Sequence, residues 1–161
     1  MGCSSGESCI NDIVVVPAQH AWPEYLRCHA YICQPGRSFK TVPHIAFYAE
    51  GEIKPVVPEI CEVFEHIELA SGAHGGSLGK LVDALLDDPA SLKETGVAYK
   101  IMLLSSPEDS ATLKLDKPIV NDLRSTTGRL IAFTRNQRYV SWQELRTANT
   151  TADLIRKRTG S

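Results

Sequence analysis

Between two apolar runs, residues 30–33 (AYIC) and 44–49 (HIAFYA), the chain places Gln34, Pro35, Gly36, Arg37, Ser38, Phe39 and Lys40. An amide, a guanidinium, a hydroxyl, a ring and an ammonium on one short loop make a binding composition. The ring can stack, the amide or hydroxyl can pair with a polar edge, and the cations can hold an anion. The plainer reading is an ordinary solvated connection between strands. Trp22, Tyr31, Phe47 and Tyr48 crowd the same third of the chain. Holding a nucleobase between rings, with its edge read by an amide and its phosphates held by cations, needs this set of side chains. Phe47 is read as a core ring only. Trp22, Tyr31, Phe39 and Tyr48 remain candidates for a base pocket.

Other chemistries assemble less well. Glu52-x-Lys54 matches the E-x-K half of a metal-dependent nuclease site, with Asp12 as a candidate second acid, but Pro55 directly follows the lysine. The run SGAHGGSLGK ends on Gly79-Lys80 like a phosphate-binding loop. His74 stands where the first glycine belongs, and Leu81 where a magnesium-holding Ser or Thr belongs. No G-x-S-x-G elbow occurs, and no cysteine opens a helix, so a nucleophilic triad has no support. Cys28-x4-Cys33 beside His29 could be half a zinc site, but no second pair follows, and buried free thiols fit better. No metal or other cofactor is expected.

Composition narrows the class. The 161 residues suit one domain with a real core, and 43% apolar against 22% charged residues is ordinary for a soluble globular protein. No apolar run approaches the ~20 residues of a membrane span. Residues 1–9 (MGCSSGESC) lack the features of a secretory signal, and Gly6 breaks the myristoylation pattern begun by Met1-Gly2. Five cysteines, an odd number, argue for a reducing compartment, hence a cytoplasmic location and no membrane partner. From Leu123 onward eight cations face only Glu144 and Asp153, about +6, which leaves about −8 for residues 1–122. Such a split fits a polyanionic partner on one face.

The elements that must position these residues are short. Residues 1–11 read as a disordered leader, and 12–158 as a single domain. Residues 12–17 (DIVVVP) form a β-branched strand, and 20–27 a short helix around Pro23. Residues 54–69 alternate as a long half-exposed strand after two prolines, although a helix fits nearly as well. Residues 78–87 form an amphipathic helix. Residues 97–104, 129–134 (RLIAFT) and 139–140 read as strands, with alternation also within 112–120. Ser141-x-x-Glu144 is a capping box that opens a helix over 142–148, and a second helix covers 151–158. These elements, about six short strands and two or three helices, make an α+β domain with a mostly antiparallel sheet that is open or closed.

The order IVVVPA, then AYICQPGRSFKTVPHIAFYAEGEIKPVVPEICEVFE, then YKIMLLS resembles the PUA-like superfamily, especially its EVE, YTH and ASCH branches. Ile45–Tyr48 and Ile60–Val63 fill the places of two family strands, and Lys117-Pro118-Ile119 follows the outer strand as in those families. Thr41-Val42-Pro43-His44 departs from the Gly-Asp that usually precedes the first of these strands. The resemblance covers residues 12–140 and implies a small bent, mostly antiparallel β-barrel of about six strands flanked by two or three helices, a non-catalytic module that binds DNA or RNA and recognises one nucleobase, often a modified one. It implies a base held by Trp22 or Tyr31 with Phe39, and an edge read by Gln34 or Ser38. Phosphates would be held by Arg37, Lys40, Arg135 and Arg138. Such modules serve as readers in restriction, defence or RNA-modification systems, beside a separate nuclease or motor subunit. The nuclease built on Glu52 and Lys54, and a protein-binding scaffold using residues 78–87, are the rival readings.

Overall fold

The computed structural model describes residues 12–89, 93–134 and 137–159, with side chains described through Ile155. The leader therefore lies outside the described residues, as does Arg135. Strand β1 (Ile13–Pro17) lies between β3 (His44–Ala49), which runs parallel to it, and β10 (Arg138–Val140), which runs antiparallel. Its apolar run has no alternation because both its faces are covered. Ile13 and Val15 enter one core with Phe133, Leu145 and Leu154, while Val14 and Val16 enter another with Tyr25, Tyr31 and Phe47.

Helix α1 (Ala21–Cys28) carries Pro23 in its first turn and stops at His29, a left-handed residue (φ +57°) whose N–H donates to the Tyr25 carbonyl at 2.7 Å. The chain then enters β2 (Ala30–Cys33). After β3, Glu50 and Gly51, at φ +55° and +76°, form a two-residue turn into β4 (Glu52–Ile53). Positive φ at both positions gives the backbone twist that a tight hairpin needs. β5 (Val56–Val57) and β6 (Ile60–Glu68) follow, then α2 (Gly76–Asp87), β7 (Ala98–Leu104), β8 (Leu113–Lys114) and β9 (Ile119–Val120). After β10 come α3 (Trp142–Thr147) and α4 (Thr151–Thr159). The capping box at α3 is formed in full. Ser141 Oγ accepts from the Glu144 N–H at 3.0 Å, and Glu144 Oε1 accepts from the Ser141 N–H at 2.9 Å.

The strands make a five-stranded sheet in the order β10-β1-β3-β4-β9, a three-stranded sheet β2-β7-β6 and a ribbon β5-β8. All strand pairings but β1–β3 are antiparallel. The larger sheet curls into a half-barrel and does not close, so the expected barrel is corrected to an open one. Described residues hold ten strands rather than six, because Pro55 and Pro58 split one region into β5 and β6, and short two-residue pairings stitch the sheet edges. The run 129–134 is no strand. Leu130 makes one isolated bridge to Arg124, and the exposed Leu130 and Ile131 lead to a fully buried Phe133. Residues 54–69 resolve as strand, not helix.

Candidate binding cleft beside the Arg37 loop

The loop between β2 and β3 is fixed from outside itself. Lys100, in the middle of β7 and only 4% exposed, donates to the Arg37 carbonyl at 2.9 Å and to Glu65 Oε1 at 3.0 Å. Gln137 Nε2 donates to the Ser38 carbonyl at 2.9 Å and to the Tyr139 hydroxyl at 2.9 Å, and that hydroxyl accepts from the Lys40 N–H at 2.9 Å. An irregular backbone with partners for its own polar groups can hold its side chains in place.

Arg37 turns its guanidinium back over β2. Its Nη1 donates to the Tyr31 hydroxyl at 2.5 Å and its Nε to Gln137 Oε1 at 3.2 Å. The guanidinium carbon lies 4.9 Å from the Phe39 ring centroid, and the Lys100 ammonium lies 5.1 Å from the same ring. Phe39 is thus a ring addressed by two cations. Tyr31 is almost fully buried and meets Phe39 edge-on at 6.3 Å. Burial pushes its phenol up to about 12, against the pull of Arg37 toward the phenolate.

On the Tyr31 side a cleft of about 310 Å³ opens between α1 and the loop, lined by Glu24, Tyr31, Cys33, Gln34, Arg37 and Lys93 among others. Glu24 is 3% exposed, and Lys93 Nζ donates to both its carboxylate oxygens at 3.2 and 3.3 Å. Burial raises the Glu24 pKa, with Lys93 acting in the opposite direction. On the other side of the loop, a groove of about 340 Å³ is lined by Phe39, Lys40, Val63, Glu65, Lys100 and Met102 among others.

The structure therefore brings together Tyr31, Gln34, Arg37, Ser38, Phe39 and Lys40, but Tyr31, Gln34 and Arg37 line one recess, Phe39 and Lys40 the other, and Ser38 neither of them. Gln34, Ser38 and Lys40 are exposed. Trp22 packs on Phe47 and Tyr25, with ring centroids at 5.5 and 5.9 Å, and makes no ring contact with Tyr31 or Phe39. The expected sandwich of Trp22 with Phe39 is not formed. Tyr48 points through the opposite face of the large sheet, 6.2 Å from Phe133. Arg138 lies on that face too, 4.7 Å from the Phe133 ring. These two placements are corrections with one cause. Strand alternation sends neighbours to opposite faces, so Phe47 and Tyr139 point toward the Tyr31 core while Tyr48 and Arg138 point away.

Sequence reasoning missed Lys100, Gln137, Tyr139, Glu24 and Lys93. Lys100 had a signal, a lone lysine inside the apolar run AYKIMLL. Gln137 had none, because its partners lie about a hundred residues away.

The rival residues are occupied otherwise. The Lys54 ammonium donates to Glu50 at 2.6 Å and Glu52 at 2.9 Å. Burial works to lower its pKa, but these two hydrogen bonds outweigh it and hold the pKa raised. Asp12 Oδ1 accepts from the Trp142 N–H at 2.8 Å, at the start of α3. Among the described residues, no three His, Cys, Asp or Glu side chains are grouped to hold a metal ion. Cys28 and Cys33 are half-buried free thiols, and Cys61 is exposed. Helix α2 buries Leu81, Val82 and Leu85 against Ala30, Ile32 and Ile101, so its apolar face is already covered. No helix among the described residues is long and apolar enough to cross a membrane.

No protein-family model matches the chain, and comparisons with curated proteins and with solved structures find no significant match.

Proposed function

We propose that the chain is a non-catalytic nucleic-acid-binding module that takes one nucleobase, ordinary or modified, beside the Arg37 loop. The observation that supports this best is the cleft itself: about 310 Å³, with the Gln34 amide, the Arg37 guanidinium and the Tyr31 phenol on its walls. That volume lies at the small end of ligand sites and suits a single heterocycle. In this reading Gln34 pairs with the base edge, as an amide does bidentately with a matching donor and acceptor. Arg37 and Lys40 hold backbone phosphate, and Phe39 stacks on a neighbouring base across the loop. The PUA-like resemblance of residues 12–140 supports the same reading. Such a module would work in the cytoplasm as the reader for a separate nuclease or motor subunit.

Titration with labelled single-stranded oligonucleotides, with and without base modification, at several salt concentrations tests the proposal. Binding that weakens as salt rises is expected, since phosphate contacts release counterions. No salt-dependent binding to any of them would sink it.

A further inference from the structure

Among the described residues, two open backbone edges carry opposite charge. β6 is the outer strand of the sheet β2-β7-β6. It bears Glu62, Glu65 and Glu68, all exposed, with an exposed Val63 and no Lys or Arg. The second edge is the limb 129–132. It folds back on residues 121–125 through the Ile131 N–H donating to the Leu123 carbonyl at 2.9 Å and the Ser125 N–H donating to the Arg129 carbonyl at 2.8 Å. By strand alternation the backbone groups of Leu130 then point outward, where no described residue meets them. Leu130 and Ile131 are 52% and 39% exposed, and Arg124 and Arg129 flank them.

We propose that the 129–132 limb of one copy pairs along the β6 edge of a second copy, so that the chain self-associates head to tail. Charge selects this pairing over the two symmetric ones. Limb against limb gathers arginines, and β6 against β6 gathers glutamates, whereas the cross pairing sets the Arg124 and Arg129 cations against the acidic β6 edge. The surfaces flanking β6 also fit. An added strand sends successive side chains to opposite faces, so Leu130 and Ile131 fall one on each side. One side is the 340 Å³ groove with Ile60, Val63 and Met102, and the other a groove of about 560 Å³ with Leu81, Leu103 and Leu104. Lys40 and Lys100 line the first groove and Arg27 and Lys80 the second, so the charge complementary to the limb comes from the strand's own glutamates and not from the groove walls. A limb of four residues buries less than the ~1,200 Å² of a stable interface, so the association is weak and rises with concentration. Because each copy offers both edges, the contact can repeat.

Sedimentation equilibrium of the full chain tests this with two charge-reversed proteins, Glu62→Arg/Glu68→Arg and Arg124→Glu/Arg129→Glu. The wild type should exceed its 17.7 kDa mass as concentration rises, and less so at high salt. Each reversed protein alone should associate about tenfold or more weakly. In their equimolar mixture both contacts are again oppositely charged, one as in the wild type and one with the charges exchanged, so association should return toward the wild-type level. A wild type that stays a single chain overturns the proposal. So do reversed proteins that associate as the wild type does, or a mixture that stays monomeric. Leu130→Asn, which keeps all charges, should weaken association too, and unchanged association would also overturn it. The 310 Å³ cleft takes no part, and the substitutions tested leave Phe39 and Lys40 of the first groove unchanged, so nucleic-acid binding is measured on the same variants as a separate readout.

Discussion

The buried Lys100 ammonium donates to the Arg37 backbone carbonyl at 2.9 Å, joining the middle of β7 to the loop that carries the candidate binding residues. A charge-assisted hydrogen bond from a nearly inaccessible lysine fixes where that loop starts its turn. Glu65, the other partner of Lys100, has a side chain 71% exposed and adds little to the anchoring.

Lys100→Met should therefore free the loop more than it destabilises the fold. Loss of a charge-assisted bond costs about 1–3 kcal/mol, partly offset by the apolar replacement. Hydrogen exchange at residues 34–40 should accelerate by more than exchange in β1 or β3. Equal acceleration everywhere would show that Lys100 supports the whole core and not the loop.

Tyr31 makes stability pH-dependent at the alkaline end. Its folded pKa is raised from 10 to about 12, so the folded state holds the proton more tightly than the unfolded one. The resulting stabilisation is complete below pH 10 and is lost as pH rises through 12. Its size is on the order of 3 kcal/mol. Tyr31→Phe should flatten the alkaline fall of stability in denaturant titrations between those two values. An unchanged slope would mean that the Tyr31 phenol titrates normally.

Gly79→Ala tests why a glycine stands in the first turn of α2. A Cβ at Gly79 would stand 2.2 Å from the His74 carbonyl oxygen, a backbone atom that cannot step aside alone. His74 is itself held, with its Nε2 2.8 Å from the Glu68 carbonyl oxygen. The substitution should cost roughly 1–3 kcal/mol, as overpacking does, measured by denaturant unfolding. A cost below half a kcal/mol would mean that the turn relaxes freely.

Ser141→Ala removes one half of the capping box at α3 and should cost about 1 kcal/mol in the same measurement. Thr at this position should recover most of the loss, because its hydroxyl can accept from the Glu144 N–H.

These residues also show what could be read in advance. β1, β2 and β3 were legible because β-branched and aromatic runs bounded by turn residues have few other uses. The Ser141–Glu144 box was legible because its two hydrogen bonds join residues three apart. The run 129–134 misled for a definite reason. Its apolar residues look like a core strand, but only Phe133 is inside, and Leu130 and Ile131 face outward. Local pattern cannot tell an apolar limb that stays outside from a strand that enters the core. The pocket was legible in composition and not in direction. Tyr48 and Arg138 have the right chemistry, but strand register, set by pairings such as Pro17 with Tyr48 and Val15 with Arg138, turns them to the far face. Lys100 and Gln137 reach the loop from 63 and about a hundred residues away, a distance no local motif spans.

Two substitutions separate base reading from phosphate holding. Arg37→Ala should weaken all oligonucleotides about equally and flatten the salt slope. Phe39→Ala should cost roughly 1–3 kcal/mol if a base stacks there, and unchanged affinity would remove Phe39 from the site. Arg138→Ala, on the far face of the sheet, should leave binding unaltered.

The most direct test is the affinity of Gln34→Ala relative to wild type for paired oligonucleotides that differ in one base, at fixed salt. Gln34 is exposed, so the substitution should leave the fold intact. A base read in this cleft predicts that wild-type preference between the paired ligands shrinks by about 1–3 kcal/mol in the variant, while the salt slope stays the same. A wild type that binds no oligonucleotide, or a variant that keeps the full preference, would contradict base reading at this cleft.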